Sequence, residues 1–321
     1  MRQGGGGNAA LYRNRRAFVS HGVPRVQSSL ADFRRYDLCP LNDYDITELE
    51  IEGSGVDVRK ESVTVRGSIL SLESVTLIYE DAEGGAVRAL HEVDIDVPEN
   101  EFLVVVGSSG CGKSTLLKLM VGLLRPTSGN VLHRGSPVVD TLQNVGMVYQ
   151  DPLLLPWRGV LDNILLPVEI LRWDRKAYLP IAEEIIDTVG LTGFADKTPR
   201  QLSGGMQQRA ALCRALITDP SLLLMDEPFG ALDALTRDEM ARELARLWEQ
   251  RRKTVVFVTH SIAEAVLLGD RVIVMSPRPG RIVRDIRIDL PRPRTDGAKM
   301  GQAFADYVED IRETIFSFKQ S

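Results

Sequence analysis

The sequence predicts an α/β fold, because short apolar strands alternate with helices and a glycine-rich loop follows one of these strands. Short continuous apolar runs are expected of strands that are buried on both faces of a mixed or parallel sheet. The runs are Phe102–Val106, Leu222–Met225, Thr254–Val258 and Arg271–Met275. Helical patterns lie at Ser114–Leu124, Arg237–Gln250 and Ile262–Leu268. Strands that alternate with helices in this way are typical of α/β proteins.

Strand-like alternation also precedes this core, and a mainly helical stretch, residues 153–217, interrupts it. Leu72–Tyr79 and Ala89–Val97 alternate as half-buried strands do. The helices predicted within the interruption are Val160–Leu171, Ala177–Val189 and Gly205–Leu216, and a final helix is expected near Gly301–Phe318. We therefore expect one large domain over residues 69–300, followed by a C-terminal helix in residues 301–321.

Residues 1–68 differ from the rest of the chain. They contain the run Gly4–Gly7, a cluster of arginines at positions 13–16 and little periodic apolar pattern. We predict a mostly disordered extension. A second interpretation is that the natural start lies near Val63 or Val65 and the extension is a mis-assigned upstream segment, since no methionine occurs between Met1 and Met120.

The composition is that of a soluble globular protein, with 44% hydrophobic and 26% charged residues. A formal net charge of -5 does not favour binding to nucleic acid or to an anionic membrane surface. The three cysteines, Cys39, Cys111 and Cys213, are too few and too widely spaced to suggest a disulfide framework or a zinc site. No stretch approaches the roughly 18–20 apolar residues that span a bilayer. We therefore expect a cytoplasmic protein whose work at a membrane depends on partners.

A phosphate-binding loop is the first chemical motif, with the sequence Gly107-Ser-Ser-Gly-Cys-Gly-Lys-Ser-Thr115. It joins a predicted strand to a predicted helix, as this motif requires. The glycines let backbone N–H groups surround phosphate oxygens, and the helix N-terminus favours negative charge. Lys113 is expected to reach the β- and γ-phosphates of ATP and the Ser114 hydroxyl to bind Mg²⁺. The ATP-binding residues predicted here are Gly107, Ser108, Ser109, Gly110, Cys111, Gly112, Lys113, Ser114 and Thr115. The alternative is a glycine-rich turn without a ligand.

An acidic pair, Asp226 and Glu227, ends the predicted strand Leu222–Met225. Phosphoryl transfer depends on positioning and charge neutralisation, which two carboxylates beside a metal ion can supply. Taken alone, the pair is equally consistent with a solvated turn.

The most specific segment precedes that pair and reads Gln201-Leu-Ser-Gly-Gly-Met-Gln-Gln-Arg-Ala-Ala-Leu212. Ser203 can cap a helix whose glycines expose N–H groups to an anion, although a structural cap explains each residue singly. Together with the phosphate loop, the segment resembles the signature of ATP-binding cassette (ABC) proteins. The resemblance covers roughly Ile69 to Pro293. It implies a P-loop NTPase (RecA-like) core with an inserted helical subdomain at 153–217 and an N-terminal antiparallel β subdomain.

In the ABC family, the signature of one subunit closes over the ATP that its partner holds. The resemblance therefore implies a dimer of two copies that clamp together on ATP. The residues expected to act across that dimer are Ser203, Gly204, Gly205, Gln207 and Asp233. Of these, Asp233 belongs to Ala231–Asp233, which is similar to the loop that joins the two half-sites in the family.

The resemblance also implies roles within one half-site. Glu227 is expected to polarise the attacking water, Gln150 to sense Mg²⁺ and that water, and His260 to contact the γ-phosphate. The expected Mg²⁺ ligands are Ser114, Gln150 and, through water, Asp226. Taken singly, Gln150 would carry no assignment and His260 would be read as a structural histidine.

Two side chains near the loop carry further expectations. Tyr79 resembles the aromatic residue that stacks on adenine, with a core tyrosine as the alternative. Stacking of this kind contributes ~1–3 kcal/mol and selects weakly among bases. Cys111 fits as a small residue, but a helix N-terminus can lower the pKa of a thiol. We therefore also expect alkylation of Cys111 to block hydrolysis and bound ATP to protect it.

A finer resemblance points to importers of the nitrate, sulfonate and taurine group. It rests on Gln150–Asn163, Pro228–Thr236 and Met275–Gly280. The first of these segments is either ordinary subdomain core or a groove that receives a helix of a membrane subunit, with Trp157 as the candidate anchor.

The function implied is that of an ATP hydrolase that energises a bacterial importer from the inner face of the cell membrane. The partners implied are a second copy, membrane permease subunits and, through the permease, an extracytoplasmic substrate-binding protein. The alternatives are an exporter, a simple P-loop kinase, and a non-transport ABC ATPase of DNA repair or translation. Proteins of the last kind often pair two cassettes or carry coiled coils or basic arms, and this sequence has none of these. The cargo is recognised by the partners, so this sequence does not identify it.

Overall fold

Two β-sheets organise the part of the chain that the structure describes. The computed structural model describes residues 67–80, 85–250, 252–294 and 301–318. The predicted N-terminal extension therefore lies outside the described residues, except for Gly67 and Ser68.

Strands and helices are numbered in chain order. The strands are β1 Ser68–Glu80, β2 Ala86–Pro98, β3 Phe102–Gly107, β4 Ser128–His133, β5 Ser136–Pro137, β6 Val145–Val148, β7 Leu222–Asp226, β8 Thr254–Thr259, β9 Arg271–Met275 and β10 Ile282–Arg287. The helices are α1 Lys113–Met120, α2 Val160–Ile164, α3 Leu166–Ile170, α4 Arg175–Thr188, α5 Gly204–Leu216, α6 Ala234–Gln250, α7 Ile262–Leu268 and α8 Gln302–Ser317.

The smaller sheet is antiparallel and has the strand order β2-β1-β4-β5. Strands β1 and β2 pair along most of their length, with Leu72 opposite Ile95. This arrangement confirms the predicted N-terminal antiparallel β subdomain. Strands β4 and β5 add to those predicted, because they are short and carry too little alternation to be recognised in the sequence.

The larger sheet has the strand order β10-β9-β3-β8-β7-β6. All neighbouring strands from β9 to β6 run parallel, and β10 pairs with β9 in the antiparallel direction. The strands predicted for the core are all present in it. The predicted α/β core is therefore confirmed, with β6 and β10 added at its two edges.

Apolar residues cover both faces of the larger sheet. Within β3, Val104 and Val106 belong to the core that α6, α7 and α8 cover. Leu103 and Val105 belong to the opposite core, which is shared with α1 and the antiparallel sheet. Alternate residues of one strand thus serve two cores, which explains why the strand is continuously apolar. A third core lies within the helical segment that contains α2 to α5.

Two predicted helices end early or are interrupted in the structure. Helix α1 ends at Met120 and not at Leu124, because Gly122 has a φ of +80° and turns the chain. The predicted helix Val160–Leu171 is divided into α2 and α3 near Leu165. Pro167 lacks the N–H that would continue the first helix, which accounts for the break.

Among the described residues, no helix combines the length and the apolar character that crossing a bilayer requires.

Candidate functional site

The candidate site lies at the carboxyl ends of three adjacent parallel strands. In the sheet, Val106 of β3 pairs with Thr259 of β8, and Asp226 of β7 pairs with Val258 of β8. The chain therefore leaves β3, β7 and β8 at the same edge, where the phosphate loop, the acidic pair and His260 follow. This edge is where open α/β sheets usually bind ligands.

The phosphate loop is closely packed against its surroundings. Gly107 has little room for a side chain, because a Cβ there would lie 2.8 Å from the sulfur of Cys111. Gly112 has a φ of +107°, a left-handed conformation that glycine adopts readily, and stands immediately before α1. Lys113 is buried, and its Nζ donates hydrogen bonds to the carbonyls of Gly107 at 3.0 Å and Ser108 at 3.1 Å.

The hydroxyl of Ser114 joins the loop to the acidic pair. Its Oγ donates a hydrogen bond to Oδ1 of Asp226 at 3.0 Å. Burial raises the pKa of Asp226, and the neighbouring charge of Glu227 raises it further, while the bond from Ser114 opposes the shift. Two hard oxygen atoms thus lie together at the beginning of α1.

Glu227 stands in a strained backbone conformation, with a φ of 44°. Its N–H donates to the carbonyl of Val258 at 2.9 Å, which fixes the residue beside β8. Its Oε2 lies 3.0 Å from Nδ1 of His260, and its Oε1 lies 3.5 Å from Nζ of Lys113. Strain of this kind persists where the surroundings hold a residue firmly, and it is common at functional sites. The structure thus brings Lys113, Glu227 and His260 together.

Tyr79 approaches the loop from β1. Its hydroxyl lies 3.2 Å from Oγ1 of Thr115, and its side chain is 41% exposed. A tyrosine of the core would be buried. The exposure of Tyr79 therefore argues against the core interpretation. The exposed ring remains available to a planar ligand beside the loop.

The expected low pKa of Cys111 is wrong. The residue is 1% exposed, and burial raises the pKa of its thiol by more than the charge of Lys113 lowers it. Its carbonyl also packs against Gly280, where an added Cβ would lie only 2.2 Å away. Burial of the sulfur therefore disfavours the thiolate by more than the position at the beginning of α1 favours it.

Gln150 lies beside the segment that follows Glu227. A Cβ built on Gly230 would come within 3.1 Å of the Gln150 side-chain nitrogen. Helix α5 holds the neighbouring backbone: Gln208 donates to the carbonyl of Tyr149 at 3.1 Å, and Arg214 donates to that of Pro152 at 2.7 Å. No sequence pattern selects Gln208 or Arg214, because their hydrogen-bond partners lie far away along the chain.

The signature residues lie at the beginning of α5. Ser203 caps the helix by accepting a hydrogen bond from the N–H of Met206 at 3.3 Å, and Ser203 and Gly204 are exposed. Gly205 is buried, and a Cβ there would lie 2.6 Å from a methyl group of Thr236. The amide of Gln207 donates within its own chain, to Pro199 and Leu202 carbonyls.

Asp233 caps the next helix, α6. Its carboxylate accepts hydrogen bonds from the N–H of Thr236 at 3.1 Å and from its hydroxyl at 2.7 Å. These bonds lower the pKa of Asp233. In this chain, Ser203, Gly204 and Asp233 lie on exposed surface, whereas Lys113, Ser114, Asp226, Glu227 and His260 contact one another.

Comparisons with known proteins agree with this geometry. A family model described as "ABC transporter" matches residues 90–230. An uncharacterized ABC transporter ATP-binding protein of Methanocaldococcus jannaschii is 49% identical over 225 residues, which are 70% of this chain and 84% of that protein. The taurine import ATP-binding protein TauB of Rhizobium johnstonii is 41% identical over 254 residues, which are 78% of this chain and 97% of that protein.

Among solved structures, the chain is similar to a dimeric ATP-binding cassette in a post-hydrolysis state bound to ADP and Pi. The TM-score is 0.61 at 33% sequence identity, and the match covers 69% of this chain and all of that one.

Proposed function

Because this chain belongs to the family of ABC transporter ATP-binding proteins, we propose that its ATP hydrolysis energises the import of a small solute. The solute is taurine, another sulfonate, nitrate or a compound of similar size and charge. The observation that carries the hydrolytic part is the position of Glu227, whose two carboxylate oxygens face Lys113 and His260 next to the phosphate loop.

ATP is the substrate, and its phosphates bind in the loop from Gly107 to Thr115. Backbone N–H groups of the loop surround the phosphate oxygens, and Lys113 neutralises charge at the β- and γ-phosphates. Tyr79 provides the exposed ring on which the adenine stacks.

The residues present fit a magnesium ion. Ser114 Oγ and Asp226 Oδ1 lie 3.0 Å apart, and oxygen is the donor that Mg²⁺ prefers. Ser114 would hold the ion directly, Gln150 from the neighbouring segment and Asp226 through water. When bound, the ion supplies charge neutralisation for the phosphates.

Hydrolysis requires a water molecule placed in line with the γ-phosphate. Glu227 accepts the proton of that water, and His260 holds the carboxylate and contacts the γ-phosphate. Glu227 has a strained backbone, and its Oε1 lies 3.5 Å from Nζ of Lys113 in the loop. Each residue therefore positions a group or neutralises charge, which is what phosphoryl transfer requires.

The complete site forms between two copies of the chain. Ser203, Gly204, Gly205 and Gln207 of one copy, with Asp233, close over the ATP of the other. Exposure of Ser203, Gly204 and Asp233 supports this assignment, because residues that act across a dimer must reach its surface.

Closure of the dimer changes the conformation of a membrane permease that it contacts at the inner face of the cell membrane. Trp157 is 74% exposed and follows the Gln150 segment, so it is the proposed anchor for a permease helix. An extracytoplasmic binding protein delivers the solute to the permease. No nucleic acid takes part.

The test is a pull-down of tagged Glu227→Gln protein from solubilised native membranes in the presence of ATP, with partners identified by mass spectrometry. Recovery of a multi-span permease supports import, and a co-purified binding protein points to the solute. Recovery of ribosomal or DNA-repair proteins alone would contradict the proposal. A deletion strain grown on taurine, alkanesulfonates or nitrate as sole sulfur or nitrogen source then distinguishes the solutes.

A further inference from the structure

The turn between β9 and β10 contacts the phosphate loop, although the two segments are far apart in sequence. We call residues 276–281 the bracing turn. Arg278 from this turn donates two hydrogen bonds to the carbonyl oxygen of Gly110, from Nε at 3.3 Å and from Nη2 at 3.2 Å. Both bonds reach the same oxygen at the exposed end of the phosphate loop.

The bracing turn is itself firmly held. The hydroxyl of Ser276 donates to the carbonyl of Pro279 at 3.0 Å and accepts from the N–H of Arg281 at 3.0 Å. Gly280 bonds to the antiparallel sheet through Ala89 and His91. The turn also packs so closely on the phosphate loop that a side chain at Gly280 would meet the carbonyl of Cys111. Arg278 therefore extends from a fixed base.

The peptide that Arg278 holds joins Gly110 to Cys111. Gly110 has a φ of +77°, and glycine has many accessible conformations. The peptide group is planar, so its C=O and the N–H of Cys111 point in opposite directions. Holding the carbonyl toward Arg278 therefore turns the Cys111 N–H into the loop, where it donates a hydrogen bond to the carbonyl of Ser108 at 3.3 Å.

We propose that Arg278 is a positioning residue for nucleotide binding, which keeps the phosphate loop in its binding shape by holding Gly110. This inference rests on the function proposed above, because it requires nucleotide phosphates in the loop. The loop surrounds the α- and β-phosphates, which ATP and ADP share. Arg278 therefore supports the binding of both nucleotides to a similar extent.

The test compares Arg278→Ala and Arg278→Lys with a matched control, Arg281→Ala. Arg281 has the same charge in the same turn, but its side chain is exposed and makes no hydrogen bond or ion pair with the described residues. The dissociation constants of ATP and ADP are measured by calorimetry, and kcat and KM by steady-state hydrolysis.

We expect Arg278→Ala to weaken the binding of both nucleotides about three- to tenfold, the size of one partly exposed charge-assisted hydrogen bond. The kcat should stay within about twofold, because the loop binds the ground state and the transition state alike. Arg278→Lys keeps the charge but lacks the planar guanidinium. Its nucleotide affinity should therefore lie between those of Arg278→Ala and the wild type. Hydrogen exchange should become faster in the peptide that contains Cys111.

Three results would overturn the inference. The first is unchanged binding by folded Arg278→Ala, and the second is an equal loss in Arg281→Ala, which would indicate a general effect of charge. The third is a smaller active fraction whose nucleotide affinity is unchanged, as a purely structural role would give. If the wild-type protein itself fails to bind ATP, both the proposed function and this inference fail. If the wild-type protein binds ATP but Arg278→Ala and Arg281→Ala have the same nucleotide affinity, this inference alone fails.

Discussion

The imidazole of His260 and the carboxylate of Glu227 face each other, with Nδ1 of the histidine 3.0 Å from Oε2 of the glutamate. The other carboxylate oxygen lies 3.5 Å from Nζ of Lys113. The glutamate follows β7, the histidine follows β8 and the lysine belongs to the loop after β3. One carboxylate is thus oriented by two side chains that reach it from different strands.

Replacing Glu227 by Gln should retain ATP binding and lower kcat by about 10²- to 10⁴-fold, the usual contribution of a positioned general base. The amide keeps the shape of the side chain but cannot accept the proton of water. The measurement pairs steady-state hydrolysis with ATP affinity and with size-exclusion chromatography, in which an ATP-dependent dimer should accumulate. Glu239→Gln, at an exposed position of α6, is the control. Normal hydrolysis by the Glu227 variant would refute the assignment.

Replacing Asp226 by Asn should stabilise the fold at neutral pH while abolishing hydrolysis. Burial raises the pKa of Asp226 above its usual value of 3.8. The folded state therefore binds the proton more tightly than the unfolded state, and the free energy of unfolding falls as the pH rises through the folded pKa. At pH 7 the charged carboxylate costs stability that the amide does not, so Tm should rise by about 2–4 °C.

The pH dependence provides the check on this prediction. The difference in Tm between Asp226→Asn and the wild type should shrink as the pH is lowered, because the wild-type carboxyl then becomes neutral in the folded state. Asp289→Asn, at an exposed position, should leave Tm unchanged throughout. A lower Tm for Asp226→Asn at pH 7 would contradict the destabilising effect assigned to this charge.

Cys111 should react slowly with iodoacetamide at neutral pH. Its thiol is buried and its pKa is raised, so the reactive thiolate is scarce until the pH passes the usual 9.0. Cys213 is buried as well, and burial raises the pKa of its thiol. Peptide mass spectrometry follows each cysteine separately, and both should be labelled rapidly only in denaturant. Rapid labelling of Cys111 in the folded protein at pH 7 would show that the thiol is accessible and ionised.

Trp157→Ala should leave hydrolysis by the isolated protein unchanged and weaken its complex with the permease by at least about tenfold, as loss of an aromatic anchor does. The side chain is 74% exposed, so its removal leaves no cavity. Trp173→Ala is the control, because Trp173 stacks on Tyr178 within its own chain. A complex of unchanged stability would dismiss Trp157 as the anchor. An equal loss in both variants would indicate damage to the helical segment.

The α/β core and its phosphate loop were predictable because local patterns determine them. The buried strands are short apolar runs, and the loop has a fixed spacing that connects one of them to a helix. Helix ends were less predictable: α1 stops before Gly122, whose turn is a local signal, and α2 is separated from α3 by Pro167. Strands β4 and β5 were missed because they lack a strong apolar alternation.

Contacts between distant segments could not be predicted from the sequence. The hydrogen bonds from Arg278 to Gly110 and from Gln208 to Tyr149 depend on how the sheet and α5 pack. The same applies to Cys111, for which the position at a helix start suggested a reactive thiol. Its carbonyl packs against Gly280, and its side chain belongs to the same buried core as Met275; both residues follow it by many positions along the chain.

The order of strands in the larger sheet links catalysis to folding. Lys113, Glu227 and His260 meet only when β3, β8 and β7 have all paired. A chain that has formed its helices but not this part of the sheet has no place for a nucleotide. Nucleotide therefore binds the native state in preference to the unfolded chain, and its concentration sets the thermal stability of the protein.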